Sequence, residues 1–257
     1  MKSISGLFLF VLFLILLGGC MGKGSGKKDS AAETDSVSVP DTGFTGIKQY
    51  MNSGRLLKEV TFKNGVRQGL TKTYYAGGQL YQTFWYENGL RQDSGRWYQQ
   101  DGGQLFRSTP YKNDTIDGIA IQYYRTGQIR AKIGYEKGLR TQFFEEYTNT
   151  GRLVTDYPEI VASIRDNYKT NGRYIISLEF SNKGQGARFY RGEFTNGRFD
   201  TTRCTTVNTV NGVGTLVLKK TGSPKATYVG IIGSVLTQHS NRHLTYKRID
   251  LPYNDLN

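Results

Sequence analysis

Histidine and cysteine are scarce in this sequence of 257 residues, which contains two of each. The two histidines, His239 and His243, lie near the C-terminus, between two predicted strands and without a carboxylate or third ligand nearby. A catalytic triad needs a histidine beside its nucleophile, and a structural zinc site needs about four ligands. We therefore expect no catalytic residues, no metal site and no cofactor, and we interpret the protein as a non-enzyme.

Pairs of carboxylates suited to acid–base chemistry are missing as well. Glu145 and Glu146 are adjacent, so in a strand their side chains point to opposite faces and cannot share one substrate bond. We predict that both glutamates, like the two histidines, are solvated surface residues.

Helix signals are also nearly absent, and a fixed sequence period stands in their place. A Gly-(Gln/Arg)-(Leu/Ile) triplet recurs at steps of 24, 25, 24 and 24 residues. Its glycines are Gly54, Gly78, Gly103, Gly127 and Gly151. Tyrosines precede these triplets at Tyr50, Tyr74, Tyr98, Tyr123 and Tyr147, and aromatic residues follow at Phe62, Tyr86, Tyr111 and Tyr135. A period of this length indicates a repeat architecture.

Each repeat carries the pattern of a β-hairpin. Residues 70–75 and 80–86 show the two-residue alternation of strands, and Gly77-Gly78 joins them. Asn64-Gly65 and Asn88-Gly89 supply the positive φ angles that a tight hairpin turn requires. The sequence therefore predicts an all-β fold that begins with an antiparallel meander over residues 44–157.

The repeat pattern resembles the bacterial variant of the MORN (membrane occupation and recognition nexus) repeat. The resemblance covers residues 46–153, with Asp114 replacing a turn glycine and a last copy that ends at Tyr157-Pro158. It implies a β-meander scaffold that binds proteins or membrane, and it transfers no active site. Some bacterial members of this group carry an antitoxin label.

The N-terminus has the pattern of an export signal. Lys2 precedes an apolar run over residues 7–17, and the run ends in Leu17-Gly18-Gly19-Cys20, which resembles the lipobox of bacterial lipoproteins. We predict a signal peptide over residues 1–19, a lipid-carrying Cys20 and a flexible tether over residues 20–43. The lipid bilayer is then a partner through acylated Cys20, and the outer membrane is the expected location.

Residues 158–257 lose the 24-residue register, although Phe194-Thr195-Asn196-Gly197 echoes a repeat turn. Short strand-like runs cover Ile160–Ile164, Tyr174–Phe180, Ala187–Phe194, Cys204–Val210, Thr215–Leu218, Tyr228–Leu236 and His243–Leu251. Strands of this number and length predict a β-sandwich, with an immunoglobulin-like arrangement as one option.

The net charge of +13 favours acidic partners, such as an acidic glycan or anionic lipid, and export argues against nucleic acid. We expect the sheet to bind a protein partner through protruding aromatic side chains. The candidates are Tyr75, Tyr81, Trp85, Phe106 and Tyr124. The predicted function is a protein-binding scaffold of the cell envelope; an antitoxin-type immunity protein and a cell-wall glycan binder are the alternatives.

Overall fold

The computed structural model describes residues 43–184 and 186–257, and the described chain is all-β, as the sequence predicts. The predicted signal peptide, Cys20 and almost all of the tether lie outside the described residues. Two antiparallel sheets account for nearly all of the regular structure. The predicted meander is confirmed.

The first sheet consists of the repeats. Its strands are β1 (Gly46–Asn52), β2 (Arg55–Lys63), β3 (Val66–Tyr74), β4 (Leu80–Glu87), β5 (Leu90–Tyr98), β6 (Leu105–Lys112), β7 (Thr115–Ile116), β8 (Gly118–Tyr123), β9 (Ile129–Glu136) and β10 (Leu139–Glu146). Strands β1 to β6 and β8 to β10 pair in sequence order, and β7 pairs with β6 beside this path.

The turns have the backbone conformation that the sequence predicts. Asn64 and Gly65 have φ angles of 51° and 77°, and Asn88 and Gly89 have 49° and 84°. Asp114, the residue that departs from the repeat pattern, keeps a φ of 63° in the same position. Its carboxylate accepts hydrogen bonds from the backbone and side chain of Arg91, one repeat earlier, and these contacts offset the strain.

The second sheet has seven strands in the order β11-β12-β16-β15-β13-β17-β18. They are β11 (Ile160–Asn167), β12 (Arg173–Phe180), β13 (Arg188–Arg191), β15 (Thr205–Val210), β16 (Val213–Lys219), β17 (Tyr228–Leu236) and β18 (Arg242–Asp250). Each overlaps one predicted run. Short helical turns occur at α1 (Tyr168–Asn171) and Thr201–Arg203.

The predicted sandwich takes the form of one curled sheet, because β13 and β15 connect its two halves by continuous pairing. The curl encloses a core that includes Ile176, Leu178, Phe180, Phe189, Leu218, Ile231 and Leu256. Phe180 and Phe189 stack with ring centroids 5.1 Å apart. Burying side chains of this size contributes roughly 1.5–3 kcal/mol each.

A short strand from the second half extends the first sheet. Strand β14 (Arg198–Phe199) pairs with β10 through Arg140–Phe199 and Thr141–Arg198. It follows the Asn196-Gly197 turn, whose φ angles are 52° and 73°. The sequence echo of a repeat turn therefore marks the segment that returns to the repeat sheet.

Candidate interaction surface

The meander has two faces that differ in what covers them. Residues directly opposite each other in an antiparallel pair share a face, so the strand register assigns the paired side chains to one face or the other. One face, called here the inner face, carries Val60, Thr71, Tyr86, Trp97 and Ala131, which are all buried. The opposite face is called the outer face.

Arginine and aromatic side chains alternate on the inner face. The guanidinium of Arg67 lies 5.3 Å from the Tyr86 ring centroid, and that of Arg91 lies 4.5 Å from the Tyr111 ring centroid. Such contacts stabilise by about 0.5–1 kcal/mol or more when they are desolvated. The arginines stand two residues after the turn residue, at Arg67, Arg91 and Arg140. This periodic signal is present in the sequence but was not among the predicted features.

The middle of the inner face depends on one glycine. A Cβ atom at Gly95 would lie 2.5 Å from the Phe84 ring and 3.1 Å from the Trp97 ring. The two rings meet edge to face, with centroids 5.3 Å apart. A side chain at this position would force the rings apart, so glycine permits the inner face to cover itself with its own aromatics.

The loop between β17 and β18 covers the last repeats of the inner face. The amide of Asn241 donates to Oε1 of Glu146 over 2.8 Å and accepts from the amide of Gln122 over 2.8 Å. The hydroxyl of Thr237 donates to the same Glu146 oxygen over 2.7 Å. These bonds join the repeat sheet to the C-terminal half.

Two surface predictions are wrong at this contact. Glu146 is fully buried, and its Oε2 has no hydrogen-bond partner within the described part of the chain. His243 stacks on Tyr157 with ring centroids 4.3 Å apart. Burial, followed by the charge of Arg140, lowers the pKa of His243. Local sequence around these residues is polar, and only the folding back of β18 removes them from water.

Among the strands of the meander, the exposed large apolar side chains lie on the outer face. They include Ile47, Val66, Leu70, Trp85, Leu90, Ile119 and Phe143. Trp85 is 42% exposed and Ile119 is 46% exposed. A surface row of large apolar side chains across several strands is typical of a binding surface. The outer face is therefore the candidate interaction surface.

The five predicted interface residues differ in their exposure. Tyr75 and Tyr81 pack together with ring centroids 4.9 Å apart, and both are half-buried. Phe106 is also half-buried. Trp85 is exposed on the outer face, with its indole nitrogen donating to Glu87 over 3.3 Å. Trp85 is thus the predicted residue that lies among the exposed apolar side chains.

Tyr75 and Tyr124 connect successive repeats. The hydroxyl of Tyr75 donates to the carbonyl oxygen of Tyr98 over 2.8 Å, and that of Tyr124 donates to the carbonyl oxygen of Tyr147 over 2.7 Å. Both bonds span 23 residues, close to one repeat period. A shared structural role explains why the two tyrosines occupy equivalent sequence positions.

Two of the tyrosines that precede the triplets, Tyr74 and Tyr147, donate hydrogen bonds through their hydroxyl groups. Tyr74 donates to Glu59 over 2.6 Å, and burial together with this carboxylate raises the pKa of Tyr74 to about 12. Tyr147 donates to Glu145 over 2.6 Å, and Lys132 contacts both groups. These bonds anchor the polar part of the outer face.

Within residues 43–184 and 186–257 no group of three or more His, Cys, Asp or Glu side chains could hold a metal ion. In the same residues no helix has the length and apolar character to cross a membrane. In comparisons with known proteins, no family model matches the chain and no curated protein is similar to it.

Proposed function

We propose that the protein is a protein-binding scaffold of the bacterial cell envelope and that the outer face of the meander is its binding surface. The observation that carries this proposal is the row of exposed apolar side chains that includes Leu70, Trp85 and Ile119. The C-terminal half contacts the inner face through Asn241 and His243, so it leaves the outer face accessible.

The chemistry of the outer face favours a protein partner. Apolar side chains lie beside ordered polar groups, such as the Lys132–Glu145 ion pair at 3.0 Å and the Tyr74–Glu59 bond. Protein interfaces combine an apolar centre with a polar rim of this kind. Trp85 supplies the type of residue that is enriched among the energetically dominant positions of interfaces.

The sequence supports two further parts of the proposal. The repeat pattern is similar to bacterial MORN-variant repeats, and the N-terminal pattern is similar to lipoprotein signals that end at Cys20. Acylation there would anchor the chain to the outer membrane, because more than one acyl chain makes attachment stable. We expect the substitution Cys20→Ala to leave an uncleaved precursor that takes up no radiolabelled palmitate, whereas Cys204→Ala should label normally. Equal labelling of both variants would refute the anchor.

Site-specific cross-linking tests the binding surface. A photoreactive amino acid replaces Trp85 or Ile119 in the full-length chain, in intact cells of its own host. The control replaces Ile164, which is 50% exposed on the second sheet. We expect both outer-face positions to cross-link to the same protein. This cross-linked product should be absent from the Ile164 control, and it should disappear when Leu70→Lys is added to the outer-face variants.

The identity of the cross-linked molecule separates the alternatives. An envelope protein supports the scaffold, and a toxic effector that the protein neutralises supports the antitoxin-type function. A product that contains cell-wall polymer in place of protein supports the glycan binder. Cross-linking that is equal at Ile164, or absent at both outer-face positions, contradicts the proposed surface.

A further inference from the structure

Strand β1 is an open edge of the repeat sheet. Within residues 43–184 and 186–257 it pairs on one side only, with β2. Most of its seven residues are exposed, and the exposed fractions of Ile47 and Met51 reach 63% and 56%. An edge strand presents unpaired backbone groups that can pair with another strand. Natural proteins usually protect such edges, so the exposed Ile47 and Met51 make β1 a candidate pairing site.

The other sheet edges are better protected. On the far side of the meander, the hairpin that contains β14 extends β10. In the second sheet, the curl brings the two edge strands β11 and β18 into contact with each other. Among the described residues, β1 is therefore the long edge strand that has neither a covering hairpin nor a facing strand.

The sequence of β1 is complementary to itself when two copies run antiparallel. With a two-fold axis at Gln49, Ile47 of each copy lies opposite Met51 of the other, and Lys48 lies opposite Tyr50. Apolar side chains then meet apolar side chains, and each ammonium meets an aromatic ring, an attractive pair. Lys48 already lies 5.9 Å from the Tyr50 ring within one chain. The two Gln49 amides can bond to each other across the axis.

Neighbouring registers are less favourable. An axis at Lys48 would place two ammonium groups directly opposite each other, and like charges in that position repel. An axis at Tyr50 would place Lys48 opposite Asn52 and Met51 opposite Gln49, so the apolar contacts would be lost. Strand β1 carries one cation, Lys48, and no carboxylate, so a second copy offers Lys48 the ring of Tyr50 in place of an opposite charge.

We infer that two copies of this chain pair through β1, antiparallel and centred on Gln49, to form one continuous sheet. Ile47 lies on the outer face, because it pairs with Thr61 on that side of the sheet. Pairing therefore also joins the outer faces of the two copies into a single surface. The inference rests on the edge of the sheet and does not depend on the identity of the proposed protein partner.

Disulfide trapping tests the register. The full-length chain carries Cys204→Ser, because Cys204 is a free thiol, and each variant adds one cysteine in β1. The Cys204→Ser chain without an added cysteine measures any disulfide that forms through Cys20. Directly opposite Cβ atoms lie about 4.5–5.5 Å apart, near the distance that a disulfide spans. We expect Gln49→Cys to give a disulfide-linked dimer on a non-reducing gel. Lys48→Cys alone or Tyr50→Cys alone should give at least fivefold less of this dimer. The pair Lys48→Cys/Tyr50→Cys should restore the dimer.

A second variant measures association without a disulfide. Ile47→Lys introduces a charge into the edge strand, a substitution that opposes edge pairing without disturbing the core. We expect it to lower the dimer fraction of the detergent-solubilised chain in sedimentation by at least fivefold, whereas Ile164→Lys on the second sheet should leave it unchanged.

The possible outcomes are decisive. A monomer at all concentrations, or equal trapping from every β1 position, overturns the inference. A disulfide from Gln49→Cys to a different protein also overturns it and assigns the edge to a foreign strand. These results leave the outer-face cross-linking from Trp85 untouched, so failure here is distinct from failure of the proposed function.

Discussion

His243 illustrates how one residue acquires properties that its sequence context does not predict. It lies in β18, with its ring against those of Tyr157 and Phe144, and its Nδ1 atom is buried without a hydrogen-bond partner among the described residues. Arg140 approaches from the repeat sheet and donates a hydrogen bond to the carbonyl oxygen of Arg242 over 3.2 Å. A protonated imidazole in this position would be poorly solvated and close to a second cation.

This environment predicts a pH-dependent stability. The pKa of His243 is lowered from 6.5, so below pH 6.5 the unfolded chain binds a proton that the folded chain excludes. The free energy of unfolding therefore decreases as the pH falls below 6.5, by at most about 1.4 kcal/mol per pH unit, and this group has no effect above that range. Urea unfolding between pH 5 and 8 measures the decrease.

The matched variant is His243→Gln, which should reduce the difference in stability between pH 7 and pH 5. Hydrogen bonds from Tyr74 and Tyr147 lower the pKa of Glu59 and Glu145, respectively, from 4.5. These carboxylates therefore change the free energy of unfolding at a lower pH than His243 does. An unchanged pH dependence in His243→Gln would rule out the histidine as its source.

At the scale of elements, the hairpins are joined by more than strand pairing. Turn amides bond to the preceding repeat, as Gly89 does to the Arg67 carbonyl over 2.9 Å and Gly138 to the Ile116 carbonyl over 2.8 Å. At the other end of the hairpins, Tyr75 and Tyr124 donate to the carbonyls of the following repeat. Nearest-neighbour contacts of this kind stabilise a repeat array.

We expect Tyr75→Phe and Tyr124→Phe each to lower the free energy of unfolding by about 1 kcal/mol, because each removes one hydrogen bond between repeats. In the double variant the two decreases in the free energy of unfolding should add, since the two sites lie in different repeats. Chemical denaturation measures the effect. Tyr81→Phe is the control, because it changes the ring beside Tyr75 and leaves the bond to Tyr98 intact. If Tyr75→Phe and Tyr124→Phe lower the free energy of unfolding no more than this control, their hydrogen bonds do not stabilise the contact between repeats.

At the scale of the whole molecule, the two sheets share a buried polar contact. Glu146 ends the last repeat strand, and Asn241 and Thr237 come from the loop between β17 and β18. Strand β14 adds a second connection at the edge of β10. Both side-chain donors to the buried Glu146 carboxylate come from the second half, so these hydrogen bonds form only when the two halves are together.

This coupling predicts that the sheets unfold together. Asn241→Ala removes bonds to both Glu146 and Gln122 and should cost about 2–4 kcal/mol. Tryptophan fluorescence reports on the repeat sheet, which contains Trp85 and Trp97, and thiol labelling of Cys204 reports on the second half. We expect both transitions to shift to lower denaturant by the same amount.

The control is Asn149→Ala in an exposed turn, which should change stability by less than about 0.5 kcal/mol. If Asn241→Ala shifts the thiol-labelling transition and leaves the fluorescence transition in place, the two sheets unfold independently.

Local sequence was sufficient for the hairpins and for the strand content of the second half. Asn-Gly pairs favour positive φ angles whatever surrounds them, and alternation with a period of two follows from strand geometry. The meander and the seven strand-like runs are therefore predictable from residues that lie close together in the chain. The repeat-like turn at Asn196-Gly197 is also predictable from local sequence. The pairing of the following strand, β14, with β10 is not, because it joins distant residues.

The distribution of burial depends on contacts between distant residues. Glu146 and Asn241 are 95 residues apart, and no local pattern marks either as a member of a buried pair. The sequence alternation shows that each strand has two faces, but which face is covered depends on where the C-terminal half folds back. For that reason the outer face, with Trp85 exposed and Tyr75 held between repeats, becomes distinguishable from the inner face only in the folded chain.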